Sequence, residues 1–250
     1  MTNGDLFQGA IALITGANKG IGYEIARGLG VNLGVKKIVV LIGARDEARG
    51  QAAAAKLKGE GIDARFVALD VTNKETIGRA ARRIEDEFGH LDILVNNAGI
   101  GEWGPKPSDA DLAKVRDVYE TNLFGPMAVT QAMLPLLRRS KHGRIVNVTS
   151  SLGSLSIAAD PKSPISQFVA LGYNTSKTAL NSVTVQFANE LRGTPIKVNA
   201  VCPGYCATDI NGHSGPRSAA QGATTPVQYA TLGDDGPSGG VFDENGRVAW

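Results

Sequence analysis

Cysteine and histidine are scarce in this 250-residue chain, at two and three residues. Cys202 and Cys206 cannot build a disulfide framework and read as reduced thiols, as in a cytoplasmic protein. His90, His142 and His213 are scattered with no ligand spacing, so no metal site is expected. Long apolar runs are missing as well. The longest aliphatic stretch, residues 38–42, falls far short of the roughly 20 residues of a membrane span. The first five residues hold no basic leader, so no targeting segment is expected. An excess of one charge is also lacking: 26 Lys and Arg against 24 Asp and Glu leave a net +2. Neither nucleic acid nor an anionic membrane is the expected partner.

Glycine is abundant, 31 residues, without low complexity. Such an excess points to tight turns or close backbone approaches to a ligand. The hydrophobic fraction of 42% and charged fraction of 20% are those of a globular chain. Short apolar runs rich in Ile, Val and Leu at 11–14, 38–42, 65–69, 92–95, 144–148 and 196–201, and a weak one at 240–242, read as strands buried on both faces. Longer stretches at 20–30, 46–58, 74–88, 109–139 (broken near Glu120 and Thr121) and 173–192 read as helices, with Asp109 as a candidate cap. Alternation of this kind predicts an α/β fold, a doubly wound, mostly parallel sheet in a single domain spanning 1–250. Residues 152–172 and 207–225 read as long loops at the carboxyl ends of strands, where such a sheet binds its ligands.

Gly16-Ala17-Asn18-Lys19-Gly20-Ile21-Gly22 follows the first strand and opens a helix. Gly16 can make the turn. Gly20 and Gly22 leave room for a pyrophosphate and for the neighbouring strand, and the helix N-terminus faces the phosphates. The second strand ends at Ala44-Arg45, where an acidic residue would hold a ribose 2′-hydroxyl. Arg45 and Lys19 suit a 2′-phosphate instead, which predicts NADPH over NADH. Asp70, at the end of the third strand, can accept from an adenine amino group or cap the next helix, and Val71 follows it.

Tyr173 and Lys177 stand at i and i+4, on one face of a helix. A nearby ammonium favours a phenolate and fits the phenol for acid/base work. Ser150 ends the fifth strand and can hydrogen-bond a substrate carbonyl. Asn97, Ala98 and Gly99 follow the fourth strand, Asn122 lies in the long helical stretch, and Pro203 and Gly204 follow the sixth strand.

Together these motifs resemble the short-chain dehydrogenase/reductases over nearly the whole chain. Residues 15–22 resemble the family's T-G-x-x-x-G-x-G turn, 96–99 its N-N-A-G, and 147–150 its N-V-T-S strand end, which selects Ser150 over Ser151. Tyr173 and Lys177 match Y-x-x-x-K, and Pro203, Gly204 and Thr208 match P-G-x-x-x-T, the segment that holds the nicotinamide carboxamide. Residues 16–22, Arg45 and 237–242 look like the NADPH-dependent carbonyl reductase branch. The resemblance implies a catalytic set of Asn122, Ser150, Tyr173 and Lys177. In it Lys177 also binds the nicotinamide ribose and Asn122 holds a water that links Lys177 to solvent. It implies a small carbonyl compound as substrate. A steroid or carrier-bound substrate, or a cofactor sensor without turnover, is the alternative.

Ser150 and Tyr173 are 23 positions apart, against about a dozen in the family generally. If the extra residues cover the helix that carries Tyr173, as the longer insert of monomeric carbonyl reductases does, the chain is a monomer; if they lie over the site, it pairs. The monomer is slightly favoured. Trp103 reads as pocket wall or surface anchor, and Tyr205, Ile210 and the 152–172 loop as further pocket candidates. Cys206 reads as a small, partly buried residue.

Overall fold

A computed structural model describes residues 6–31, 38–103 and 106–250. Residues 1–5, on which the leader expectation rests, and Gly104 and Pro105 beside Trp103 lie outside the described residues. Eight strands form one sheet: β1 (Ile11–Thr15), β2 (Val39–Ala44), β3 (Ala64–Ala68), β4 (Ile93–Asn96), β5 (Arg144–Val148), β6 (Lys197–Val201), β7 (Val241–Asp243) and β8 (Gly246–Arg247). Their order is β3-β2-β1-β4-β5-β6-β7-β8. Pairing is parallel through β7, and β8 returns antiparallel on the edge. The winding direction reverses between β1 and β4, and a crevice opens there beyond their carboxyl ends.

The helices are α1 (Gly20–Val31), α2 (Glu47–Gly59), α3 (Lys74–Phe88), α4 (Leu112–Tyr119), α5 (Gly125–Leu137), α6 (Leu155–Ala159), α7 (Leu171–Glu190) and α8 (Ala219–Ala230). Side-chain alternation sends Ala12, Ile14, Val40, Ile42 and Val95 to one face, where Ile25 and Leu29 of α1, Leu57 of α2 and Val227 of α8 cover them. Ile11, Leu13, Leu41 and Leu94 face the other way, onto Ile84 of α3 and Val129 and Met133 of α5. Each of these large side chains contributes about 1.5–3 kcal/mol on burial, so the two-sided sheet is the main source of cohesion.

Arg144 starts β5 and is fully buried at the end of the sheet away from the crevice. Its guanidinium donates to the carbonyls of Leu232 (2.8 Å), Gly143 (2.8 Å) and Pro195 (3.2 Å) and to Asp234 Oδ1 (2.8 Å). A buried charge is tolerated because nearly every donor is engaged.

Four local expectations change, the first being that 152–172 is not all loop but holds the one-turn helix α6. Asp109 ends a single 3₁₀ turn, and Asp111 caps α4 by accepting from Ala113 N at 2.9 Å. The helix does not break near Glu120 but runs on through a π-turn, Glu120–Phe124, into α5. Only the first part of 207–225 is a loop. Ser218 and Gln221 form a reciprocal capping box that starts α8, satisfying two helix-end donors that a chain rich in small residues would otherwise leave open.

Candidate active site

Thr15 ends β1, and its Oγ1 accepts from the backbone N–H of Asn97 and of Ala98, both at 3.0 Å. Asn97 Nδ2 donates back to the Thr15 carbonyl at 2.9 Å. The glycine turn and the β4 loop are thereby locked together, and the glycines divide the work. A methyl on Gly22 would meet Asn97 Nδ2 at 2.4 Å, and one on Gly16 would meet Ala98 Cα at 2.9 Å. Those two serve strand–loop packing. Gly20 faces only Thr208, across 3.6 Å, and has φ +58°. It is the glycine that leaves space open at the start of α1, where unpaired N–H groups collect. Gly22 therefore packs against the loop, and the open space at the turn lies beside Gly20.

At one end the cleft is lined by Arg45, Asp46, Arg49, Asp70 and Val71. Arg45 is exposed and makes no ion pair among the described residues, whereas Arg49 lies 3.3 Å from Asp46. Asp70 does not cap α3; Asn73 does, accepting from Glu75 N and Thr76 N. Asp70 Oδ1 instead accepts from Thr72 N (3.0 Å) and Thr72 Oγ1 (2.8 Å), which fixes its carboxylate at the rim. Lys19 is not free for a phosphate in this arrangement. Its ammonium pairs with Asp209, which also meets His213 Nε2 at 2.8 Å. Lys19 pulls the Asp209 carboxyl below its ordinary range, chiefly by hydrogen bonding.

At the other end Ser150, Tyr173 and Lys177 line the same cleft. Ser150 caps the turn after β5 by accepting from Leu152 N at 3.2 Å. Tyr173 and Lys177 sit one turn apart near the start of α7, and the Lys177 Nζ stands 5.6 Å from the Tyr173 ring centroid. Lys177 Nζ donates to the Val148 carbonyl at 2.9 Å. Burial pushes the Tyr173 phenol up to about 12, with the hydrogen-bonding Ser150 hydroxyl working the other way. Burial likewise brings the Lys177 ammonium down to about 8. Desolvation outweighs the lowering of the phenol that the Tyr-Lys spacing predicts.

Asn122 lies behind the cleft wall, fully buried in the π-turn. Its Oδ1 accepts from Ile100 N at 2.9 Å, and its Nδ2 donates to Ile100 O (2.9 Å) and Ser176 Oγ (3.2 Å). Gly99 stands beside both Asn122 and Lys177: a methyl on it would lie 3.3 Å from Asn122 Oδ1 and 3.7 Å from Lys177 Nζ.

The cleft measures about 1160 Å³. It brings together Gly16, Asn18, Lys19, Gly20, Ile21, Gly22, Arg45, Asp70, Val71, Asn97, Ala98, Gly99, Pro203, Gly204 and Thr208 with Ser150, Tyr173 and Lys177, and leaves Asn122 just outside. An open glycine at a helix N-terminus and an unpaired arginine at the rim fit a phosphorylated dinucleotide. Cys206 lines the cleft but is buried, its Sγ donating to the Pro203 carbonyl at 3.3 Å. Among the described residues no His/Cys/Asp/Glu group could hold a metal ion. No described helix is long and apolar enough to cross a membrane.

The 152–172 loop lines the cleft as the sequence suggests, through Leu152, Ile165 and Phe168, although none of the three was singled out; Asp209 was not named. The Thr208–Asn211 capping pair was a local signal for the turn that presents Asp209. For Ile165 and Phe168 the signal was the position of their loop at the carboxyl end of β5.

The short chain dehydrogenase family matches residues 10–218. Short-chain dehydrogenase anuI of Penicillium roqueforti is 37% identical over 245 residues, covering 95% of this chain and 96% of that protein. Carbonyl reductase (NADPH) 1 of Bos taurus is 33% identical, covering 96% and 98%. Among solved structures, NADPH-bound carbonyl reductase from chicken fatty liver superposes with a TM-score of 0.85 at 28% identity, covering 98% of this chain and all of that one.

Proposed function

The chain belongs to the short-chain dehydrogenase family of oxidoreductases, and from that premise we propose that it reduces the carbonyl of a small ketone, aldehyde or quinone-like compound with NADPH. The same site runs the alcohol oxidation in reverse. The reading takes residues 1–250 as one cofactor-binding reductase domain. One observation carries it: Ser150, Tyr173 and Lys177 share a cleft with the open Gly20 turn and the unpaired Arg45. The named activity of the bovine and avian relatives supports it.

In this reading Gly20 and the start of α1 receive the pyrophosphate, Arg45 the 2′-phosphate, and Asp70 the adenine amino group. When bound there, NADPH supplies the hydride. Ser150 donates to the carbonyl oxygen and holds it beside the phenol. Tyr173 gives that oxygen its proton, and a phenol that titrates near 12 is fully protonated at neutral pH and ready to donate. Lys177 stabilises the phenolate left behind. Much of the rate enhancement is positional, since the reacting groups are held in one orientation. The experiment is NADPH consumption by the purified protein over a panel of ketones, aldehydes and quinones. Turnover with at least one class supports the reading; NADPH binding without turnover on any of them refutes it in favour of a sensor.

A further inference from the structure

Among the side chains that wall the cleft around Ser150 and Tyr173, Trp103 is held from two sides. Its indole Nε1–H donates to the Ile210 carbonyl at 2.6 Å. Its ring lies against that of Tyr173, with centroids 5.4 Å apart and planes at 41°. The backbone is pressed close to this contact: a methyl on Gly101 would sit 3.0 Å from both Trp103 Nε1 and Ile210 Cγ1. Half of the Trp103 surface is nevertheless exposed.

With its one donor spent on Ile210, the indole has only an apolar π face to offer. Such a face recognises flat apolar groups by stacking and contributes no hydrogen bond to a ligand. Tyr205 is in the same condition: its hydroxyl is engaged with Ser214 Oγ at 2.5 Å, and its ring faces Phe168 at 6.5 Å. Leu152, Ile165 and Ile210 complete this wall. The cleft's charged groups lie elsewhere or are engaged. Arg45, Asp46, Arg49 and Asp70 gather at the opposite end, and Lys19, Asp209 and His213 pair with one another. Lys177 is buried against the Val148 carbonyl. A substrate carboxylate or phosphate has no free cation to meet at this end among the described residues, and burying it unpaired is costly.

We infer that Trp103 is a specificity-determining residue that selects neutral, flat, cyclic carbonyl compounds over open-chain or charged ones. The inference rests on the carbonyl-reductase reading above. It places the discriminating contact on the face of one indole fixed by Ile210.

The test compares a bicyclic aromatic ketone, an open-chain ketone of equal carbon number and a 2-oxo acid. Each is assayed with wild type, Trp103→Ala and Trp103→Phe. Trp103→Ala is expected to raise KM for the ring ketone about ten-fold with little change in kcat, and to move the open-chain KM by less than about two-fold. Trp103→Phe, which keeps a π face, is expected to restore most of the loss. Equal effects on both ketones, or a wild-type preference for the 2-oxo acid, overturn the inference. A second measurement does not depend on turnover. The chain has two tryptophans, so Trp250→Phe leaves Trp103 as the sole indole. The ring ketone is expected to quench its emission saturably, and the 2-oxo acid is not. If no ketone is reduced, the reductase reading falls, yet saturable quenching still upholds the recognition wall and its absence overturns it.

Discussion

The Lys177 ammonium stands 5.6 Å from the centre of the Tyr173 ring and is tethered to the Val148 carbonyl at 2.9 Å, so the last carbonyl of β5 fixes the charge that faces the phenol. Lys177 is buried and Tyr173 half-buried, and desolvation moves them in opposite directions, Tyr173 up to about 12 and Lys177 down to about 8. Each shift favours the neutral form.

Replacing Tyr173 by Phe removes the proton donor and keeps the ring against Trp103. kcat for ketone reduction is expected to fall by about 10²–10⁴ while NADPH binding, followed by its fluorescence, is retained. A variant that keeps more than about a tenth of the wild-type kcat contradicts the assigned role.

Lys177→Met is expected to abolish turnover yet stabilise the fold. Unfolded lysine titrates near 10.5 and folded Lys177 near 8. Below pH 8 both states are charged and the fold carries the whole desolvation cost, on the order of 3 kcal/mol. Between pH 8 and 10.5 the folded chain has lost its proton and the unfolded chain has not, so this cost fades. Tyr173 runs the other way: stability declines between pH 10 and about 12, as the unfolded phenol ionises first. Thermal melting at pH 7 and pH 10 reads the difference. The gain in Lys177→Met belongs to pH 7 and shrinks at pH 10; an equal gain at both pH values removes the argument.

In the proposed reading cofactor choice turns on Arg45, since Lys19 is engaged with Asp209. A charge-assisted phosphate contact is worth roughly 1.5–3 kcal/mol, about 10- to 100-fold in affinity. NADPH is expected to be favoured over NADH by that factor in kcat/KM, and Arg45→Asp to reverse the order by repelling the 2′-phosphate. Equal kcat/KM for the two cofactors in the wild type excludes the role given to Arg45.

Gly22→Ala forces a methyl to within 2.4 Å of Asn97 Nδ2 and 2.6 Å of the Gly16 carbonyl. Separating the turn from the β4 loop is expected to cost about 1–3 kcal/mol. Urea unfolding with an unchanged m-value and a lower midpoint is the anticipated signature.

Self-association is expected as well. Leu152, Ile165 and Phe168 put the insert at the cleft mouth, and Ser154 and Ser156 tie it to the carbonyls of Ala249 and Trp250. That is the arrangement in which the sequence reading leaves the α7 surface available for pairing, and Leu112 and Phe124 are exposed on the adjoining helical run. Sedimentation equilibrium at micromolar concentration is expected to give a multiple of 26.1 kDa; a mass equal to it returns the balance to the monomer.

The seven parallel strands were legible because Ile, Val and Leu cluster where both faces of a sheet are covered. Two-residue β8 has no such pattern, since it borders only β7 at an edge. Helix α8 was hidden because small residues leave little 3.6-residue periodicity, although the Ser218–Gln221 spacing marked its start. Most of the residues assigned to the cleft could be picked out because they follow a strand or, like Tyr173 and Lys177, sit one turn from a partner; Asn122, in the π-turn, does neither. The pairings of Lys19 with Asp209 and of Trp103 with Tyr173 join residues 190 and 70 positions apart, respectively. No local spacing encodes contacts of that range; they exist only once the sheet brings the loop ends together.

One strand, β5, links the two ends of the sheet, with Arg144 at its first residue and Ser150 just beyond its last. The four-acceptor anchorage of Arg144 is remote from the rim where substrate is selected. Loop exchange at 152–170 can therefore be attempted as one would change the jaws of a vice while leaving its screw alone. Libraries built at that rim should trade substrates without spending the cohesion that the opposite end supplies.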